Sequence, residues 1–290
     1  MRQSVIILLL AMISLNTAGQ GMVIDKSGAR STKKEKQDTI TLDKLQYRIT
    51  YKTRSVKDTT AVPYKHLNDE MRLDIGQSGV SRFYSQSLVV RQAALKEMYK
   101  AGNGFDMTKL PKGGYIGWEL YKNYPAEGKT LLLDKVGSDE YQCEEPIEAP
   151  EWEIVPDSVQ EILGYQCQMA TSRFKGRQWS AWFTEDIPLD EGPWKLRGLP
   201  GLVLRAYDAK RQYVFDGAGL EQPGGDESVI LISQKREKIS QKDLRKLRNR
   251  YDPMASLASK GIKIISVKNA DGSDAKLPNR IVSNSIELDR

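Results

Sequence analysis

Strict alternation of apolar and polar side chains is what most narrows the folds open to this chain. Leu45, Tyr47, Ile49 and Tyr51 fall at every second position, and Met71, Leu73 and Ile75 repeat the pattern. Tyr165, Cys167 and Met169 do so again, followed by Trp179, Ala181 and Phe183. Successive side chains of a strand point to opposite faces, so a period of two marks a strand buried on one face. Val203–Tyr207 and Tyr213–Phe215 read as two further strands, with Asp208-Ala209-Lys210-Arg211 as the turn between them. Two stretches carry helical spacing. Ser87–Lys100 places Leu88, Leu95 and Met98 on one face and stops at Gly102. Ser240–Tyr251 opens on a Ser N-cap with Asp243 three residues on, groups Leu244, Leu247 and Tyr251, and is followed by Pro253. Its opposite face, Lys242, Arg245, Lys246, Arg248 and Arg250, reads as solvated surface. Together these features predict a mainly β (α+β) protein: a curved antiparallel β-sheet with about two helices in a single domain.

The densest stretch is 176–208, GRQWSAWFTEDIPLDEGPWKLRGLPGLVLRAYD. Pro188, Gly192-Pro193 and Leu199-Pro200-Gly201 constrain its backbone, because Pro pins φ and Gly reaches values barred to other residues. Trp179, Trp182 and Trp194 all fall within it. Pro200-Gly201 has the residue order of a type II turn, with Pro at i+1 and Gly at i+2. The expected local structure is a strand ending near Thr184, a stiff irregular loop, a tight turn, and a strand from Leu202 to Tyr207. Such a loop serves either as a binding lip built on rigid aromatics or as a plug that closes the fold with Trp182 and Trp194 in the core. The size of the aromatics favours the plug. Gly198 and Gly201 are not a phosphate cradle, since no Lys-Ser/Thr follows and no helix starts there.

The N-terminus sets the compartment. Arg2, an apolar run from Val5 to Leu15, and the exit Asn16-Thr17-Ala18-Gly19-Gln20 are the three parts of a secretory signal. The run is too short to cross a bilayer, which takes about 20 apolar residues. Cleavage after Ala18 or Gly19 leaves about 270 residues. No Cys lies near that site to carry a lipid anchor, and no later stretch reads as a membrane span. The expected organisation is a signal peptide over 1–20, a flexible polar leader over 21–39 and a β-rich domain over 40–290. The expected location is the periplasm, the outer-membrane surface or the medium. The formal charge of +6 would fit nucleic acid in a cytosolic protein, and export removes that partner. Cys143 and Cys167 are the only cysteines. An even count in an oxidising compartment predicts one disulfide between them, with buried free thiols as the alternative.

Gly198-Leu199-Pro200-Gly201-Leu202-Val203 resembles the name-giving motif of the GLPGLI family, with Val203 in place of Ile. Ile162-Leu163-Gly164-Tyr165-Gln166-Cys167 resembles that family's I-x-GY-x-C strand. Gly176-Arg177, Ala181-Trp182-Phe183-Thr184, Ile187-Pro188 and Gly192-Pro193-Trp194 follow its pattern in order, and Asn284-Ser285-Ile286-Glu287-Leu288 resembles its NPIEL ending. The likeness is strongest over 150–215. It implies an exported protein of Bacteroidetes-type bacteria, of a kind often encoded near outer-membrane transport receptors and of no established biochemical role.

Candidate chemistry is sparse. Glu151, Glu153, Glu185, Asp186, Asp190 and Glu191 could supply paired carboxylates for glycoside cleavage if two were held about 5–10 Å apart. Asn269, Asp271, Gly272 and Asp274 lack EF-hand spacing and read as a polar turn. His66, the only histidine, has no G-x-S-x-G elbow to serve and reads as a surface residue. The expectation is therefore a non-catalytic envelope accessory protein, without cofactor or metal. It would bind an outer-membrane protein partner or an apolar ligand. The motif residues Trp182, Asp186, Pro188, Gly192, Pro193, Trp194, Gly198, Leu199, Pro200, Gly201 and Leu202 are its candidate binding surface. The alternative is a hydrolase of an envelope polymer or glycan acting through paired carboxylates.

Overall fold

The computed structural model describes residues 22–25, 38–60, 62–101, 110–111, 113–261, 263–267 and 284–288. The expected signal peptide and the turn at Asn269, Asp271, Gly272 and Asp274 lie outside them, as does most of the leader. The chain divides into two compact units. The larger takes in 38–134, 142–233 and 284–290, and the smaller 1–37, 135–141 and 234–283.

The main sheet is built on strands β2 (Asp38–Val56), β3 (His66–Gly76), β4 (Ser81–Ser85), β5 (Glu119–Lys122), β6 (Lys129–Val136) and β7 (Asp139–Pro146). After these come β8 (Glu153–Ile162), β9 (Tyr165–Phe174), β10 (Arg177–Thr184), β11 (Leu202–Asp208), β12 (Tyr213–Glu221) and β13 (Ser228–Ser233). The spatial order is β7-β6-β5-β4-β3-β2-β12-β11-β10-β9-β8, with β13 paired to the first part of β2. From β6 across to β8 every neighbouring pair is antiparallel. With β14 (Glu237–Lys238) beyond β7, the sheet has thirteen strands and does not close on itself. Register shifts at Leu45/Tyr47, Ile154/Val159, Trp182/Phe183 and Gly217/Gly219 each bend a strand and raise its twist.

The alternation in the sequence maps onto this sheet. Ile49, Tyr51, Met71, Leu73, Ile75, Trp179, Ala181 and Phe183 are all buried. Tyr47, between buried Leu45 and Ile49, is only half-buried. In β9 the expected face is partly wrong. Tyr165 and Met169 are half-buried, while Ala170, Ser172 and Phe174 join Cys167 inside. Ala170 lies opposite Ala181 and Ser172 opposite Trp179, so small residues line the strand beside the large indole.

The expected disulfide is absent: Cys143 and Cys167 are buried and not bonded to each other. Cys143 lies on β7 and Cys167 on β9, near opposite ends of the strand order, where closeness in sequence does not bring side chains together. Burial pushes the Cys167 thiol up to about 11.

Three helices occur among the described residues: α1 (Gln86–Ala101), α2 (Gln241–Arg250) and α3 (Pro253–Ser259). In α2 the Ser240 hydroxyl accepts from Asp243 N at 3.1 Å and donates to the Asp243 carboxylate at 2.7 Å, a capping arrangement as expected. The third helix was not anticipated. Pro253 ends α2 and also occupies the first turn of α3, where its missing N–H costs nothing. Asp252 caps α3 by accepting from Met254 N and Ala255 N. In the smaller unit β1 (Met22–Asp25) pairs antiparallel with β15 (Lys263–Val267), inside the segment read as a leader. No described helix is long and apolar enough to cross a membrane.

Candidate functional site: the Gly-Pro-Trp loop

The segment joining β10 to β11 folds back on the strands that flank it. Leu202 N donates to Ile187 O at 3.0 Å and Val203 N to Glu191 O at 3.0 Å, so the loop is hydrogen-bonded to the start of β11. Two glycines allow this closeness. A Cβ on Gly192 would stand 2.1 Å from Leu196 O, and one on Gly201 2.0 Å from Thr184 O. The expected type II turn at Pro200-Gly201 is not formed, because Gly201 is not in the left-handed region that such a turn requires. Glycine is needed there for backbone approach; the left-handed positions are Trp194 and Gly198.

Trp194 enters the core and is 1% exposed. Its ring lies 5.7 Å from Phe174 and 5.6 Å from Trp179. Trp179 continues to Phe215, Phe215 to Phe83, and Phe83 to Tyr51 and Trp118. Each such pair contributes about 0.5–1.5 kcal/mol beyond its buried area. A connected set of the protein's own rings thus lies beneath the loop.

Polar groups lock the plug from below. Lys122, fully buried at the end of β5, pairs with the Glu191 carboxylate and donates to Gly192 O at 2.9 Å. Ser81 Oγ donates to the same carboxylate at 3.0 Å. Burial holds the Lys122 ammonium below its ordinary pKa, and Glu191 opposes that only in part. Tyr51 donates to Val203 O at 2.6 Å, and burial pushes its phenol upward. Lys195, also buried, reaches Glu287 at 2.8 Å and Glu145 at 3.0 Å. Burial alone would lower Lys195, but the two carboxylates outweigh it and hold its pKa above the ordinary value.

The candidate binding residues therefore divide. Gly192, Pro193, Trp194, Leu199, Gly201 and Leu202 are buried. Asp186, Pro188, Gly198 and Pro200 are exposed, and Trp182 is half-buried with its indole N–H 3.5 Å from the Tyr207 hydroxyl. The Ile187–Leu202 bond and the contact of Gly201 with Thr184 bring exposed Glu185, Asp186 and Pro188 beside Pro200, with Ile187 itself buried. The result is a short exposed rim hydrogen-bonded to the start of β11, with Trp182 two residues before Thr184.

The six carboxylates considered for hydrolysis do not share one environment. Glu151, Glu153, Glu185 and Asp186 are exposed. Asp190 is exposed and bonds Arg197 and the Gly198 N–H. Glu191 is buried in its pair with Lys122. His66 is exposed at the start of β3. No cluster of three metal-ligating side chains occurs among the described residues. Sequence reasoning missed Lys122, Ser81, Tyr51 and Lys195 as members of this site. A lysine inside a short strand gives no local sign that it will face a carboxylate from a loop 69 residues on.

No curated protein matches this sequence. Solved structures of PNGF-II, in P21 and C2 crystal forms, are similar at 12% identity over 70% of this chain, with TM-scores of 0.45 and 0.43. The matched region is 33% and 32% of those chains, so this chain spans about a third of their length. Residues 172–205, from β9 through the plug into β11, match the family model described as "Protein of unknown function (Porph_ging)".

Proposed function

We propose that this is an exported, non-catalytic accessory protein of the bacterial envelope, of the GLPGLI type. In this reading it binds a protein partner through the rim formed by Trp182, Asp186, Pro188 and Pro200. One observation carries the reading: the buried half of the loop is anchored by Trp194, Lys122 and Tyr51, so the exposed half is tied to the core on which it sits. A rim already held in one shape loses little entropy on binding, which favours recognition of a macromolecular surface. Phe174, Trp194, Trp179 and Phe215 pack against one another beneath the loop, which favours a protein partner over an apolar ligand. Export rests on the signal-like segment 1–20, and an outer-membrane transport component is the partner that the family resemblance favours.

Affinity capture from native envelope tests the proposal. Wild type should recover a discrete partner that is lost with Trp182→Ala or Asp186→Lys and kept with an exposed control, Lys210→Ala. Recovery of the same proteins by all four forms would remove the rim from the account.

A further inference from the structure

The segment Asn284–Leu288 belongs to no strand or helix, yet the sheet recognises it group by group. Arg177, at the start of β10 and 3% exposed, is the centre of that recognition. Its Nε donates to Ile286 O at 2.8 Å. Its Nη2 donates to Ser285 O at 2.6 Å and to Asn284 Oδ1 at 2.8 Å. The Tyr213 hydroxyl donates to Asn284 O at 2.6 Å, and Asn284 Nδ2 donates to Val56 O at 3.0 Å. Lys195 pairs with Glu287, and Leu288 N donates to Lys175 O at 2.9 Å. Ile286 and Glu287 are buried.

The cleft is held by residues outside the segment. Arg177 Nη1 donates to Asp208 Oδ2 at 2.9 Å and to Gln212 Oε1 at 3.0 Å. Asp208 Oδ1 accepts from Tyr213 N at 2.7 Å, and the guanidinium lies 4.9 Å from the Tyr213 ring centre. Asp208 and Gln212 are themselves buried. A planar guanidinium fixed on one edge by a carboxylate and an amide leaves its other edge set for backbone carbonyls. Carbonyl contacts read the course of a peptide. The Asn284 amide, the buried Ile286 side chain and the Glu287 carboxylate add sequence, giving Asn-x-Ile-Glu as the recognised unit.

We propose that this cleft is a peptide-recognition site that accepts an Asn-x-Ile-Glu segment in trans as well as in cis, its occupant in trans being segment 284–288 of a second copy of this chain. The inference is independent of the rim. Exchange of an identical segment between copies adds no contact absent from the monomer, so it is a low-cost route to association.

The probe is the fluorescein-labelled peptide Asn-Ser-Ile-Glu-Leu-Asp-Arg, added to full-length protein carrying Asn284→Ala and Ile286→Asp. Fluorescence anisotropy should show saturable binding to this variant. Binding to wild type should be at least ~10-fold weaker, because the tethered segment 284–288 competes at an effective concentration of order mM. A peptide with the same two substitutions should not bind. Absence of saturable binding to the folded variant up to ~1 mM peptide, or equal binding of the substituted peptide, overturns the proposal. If the variant does not fold, wild type with several-fold ~1 mM peptide decides by hydrogen exchange. Displacement of segment 284–288 speeds exchange of the Leu288 amide at least ~10-fold, and an unchanged rate overturns the proposal.

Discussion

Replacing Lys122 by Met keeps the length of the side chain and deletes its charge, so it isolates the lock beneath the plug. Lys122 is fully buried, and its ammonium reaches only Glu191 and Gly192 O among its resolved partners. Without it Glu191 keeps the Ser81 hydroxyl at 3.0 Å and a long contact to Gly192 N at 3.4 Å. Removing one partner of a buried pair typically costs about 3–5 kcal/mol, because the other charge is left without compensation. Urea unfolding followed by tryptophan fluorescence reads this directly, since Trp179 and Trp194 lie in the same core. With a slope of about 2–3 kcal/mol/M, the midpoint should fall by about 1–2.5 M. Adding Glu191→Gln removes the orphaned charge and should restore about 2 kcal/mol. A single-variant loss below about 1 kcal/mol, or no recovery in the double variant, would refute the locking role.

Three further outcomes are expected. Trp194→Ala should cost about 3–5 kcal/mol by opening a cavity among Phe174, Trp179 and the loop, while the half-exposed Trp182→Ala should cost about 1 kcal/mol or less; thermal or urea unfolding compares them. Gly201→Ala should cost about 1–3 kcal/mol, because its Cβ would sit 2.0 Å from the Thr184 carbonyl oxygen; the same assay suffices, and an unaffected midpoint contradicts the packing. Non-reduced intact mass should show Cys143 and Cys167 as two thiols. Since the Cys167 thiol is pushed up to about 11 when folded, its contribution to stability is complete below its ordinary value near 9 and is lost as pH rises toward 11. Cys167→Ala should flatten that part of the stability–pH curve.

The sheet was largely legible because alternation is a local property. Ile49 and Tyr51 in β2, and Trp179, Ala181 and Phe183 in β10, face inward as their spacing implies. The α2 cap was legible for the same reason, since Ser240 and Asp243 interact across one turn. What escaped was set by strand order. Two cysteines 24 residues apart look ready to pair, but their strands diverge to opposite ends of the sheet. In β9 both parities offer apolar or small residues. Only the neighbour β10, which needs Ala170 and Ser172 beside Ala181 and Trp179, decides between them. The motif was read as plug or lip. The structure divides it by residue, with Trp194 in the core and Pro188 and Pro200 outside. The pairings that hold the plug, Lys122 with Glu191 and Lys195 with Glu287, join residues far apart in the chain and leave no trace in local pattern.

The rim is the centre of the functional account, and site-specific photocrosslinking in the native envelope tests it most directly. A photoreactive phenylalanine analogue placed at 186 or 200 should yield one discrete crosslinked protein, and the same group at exposed position 210 should yield none. No crosslink at either rim position, or the same crosslink at 210, would contradict the account.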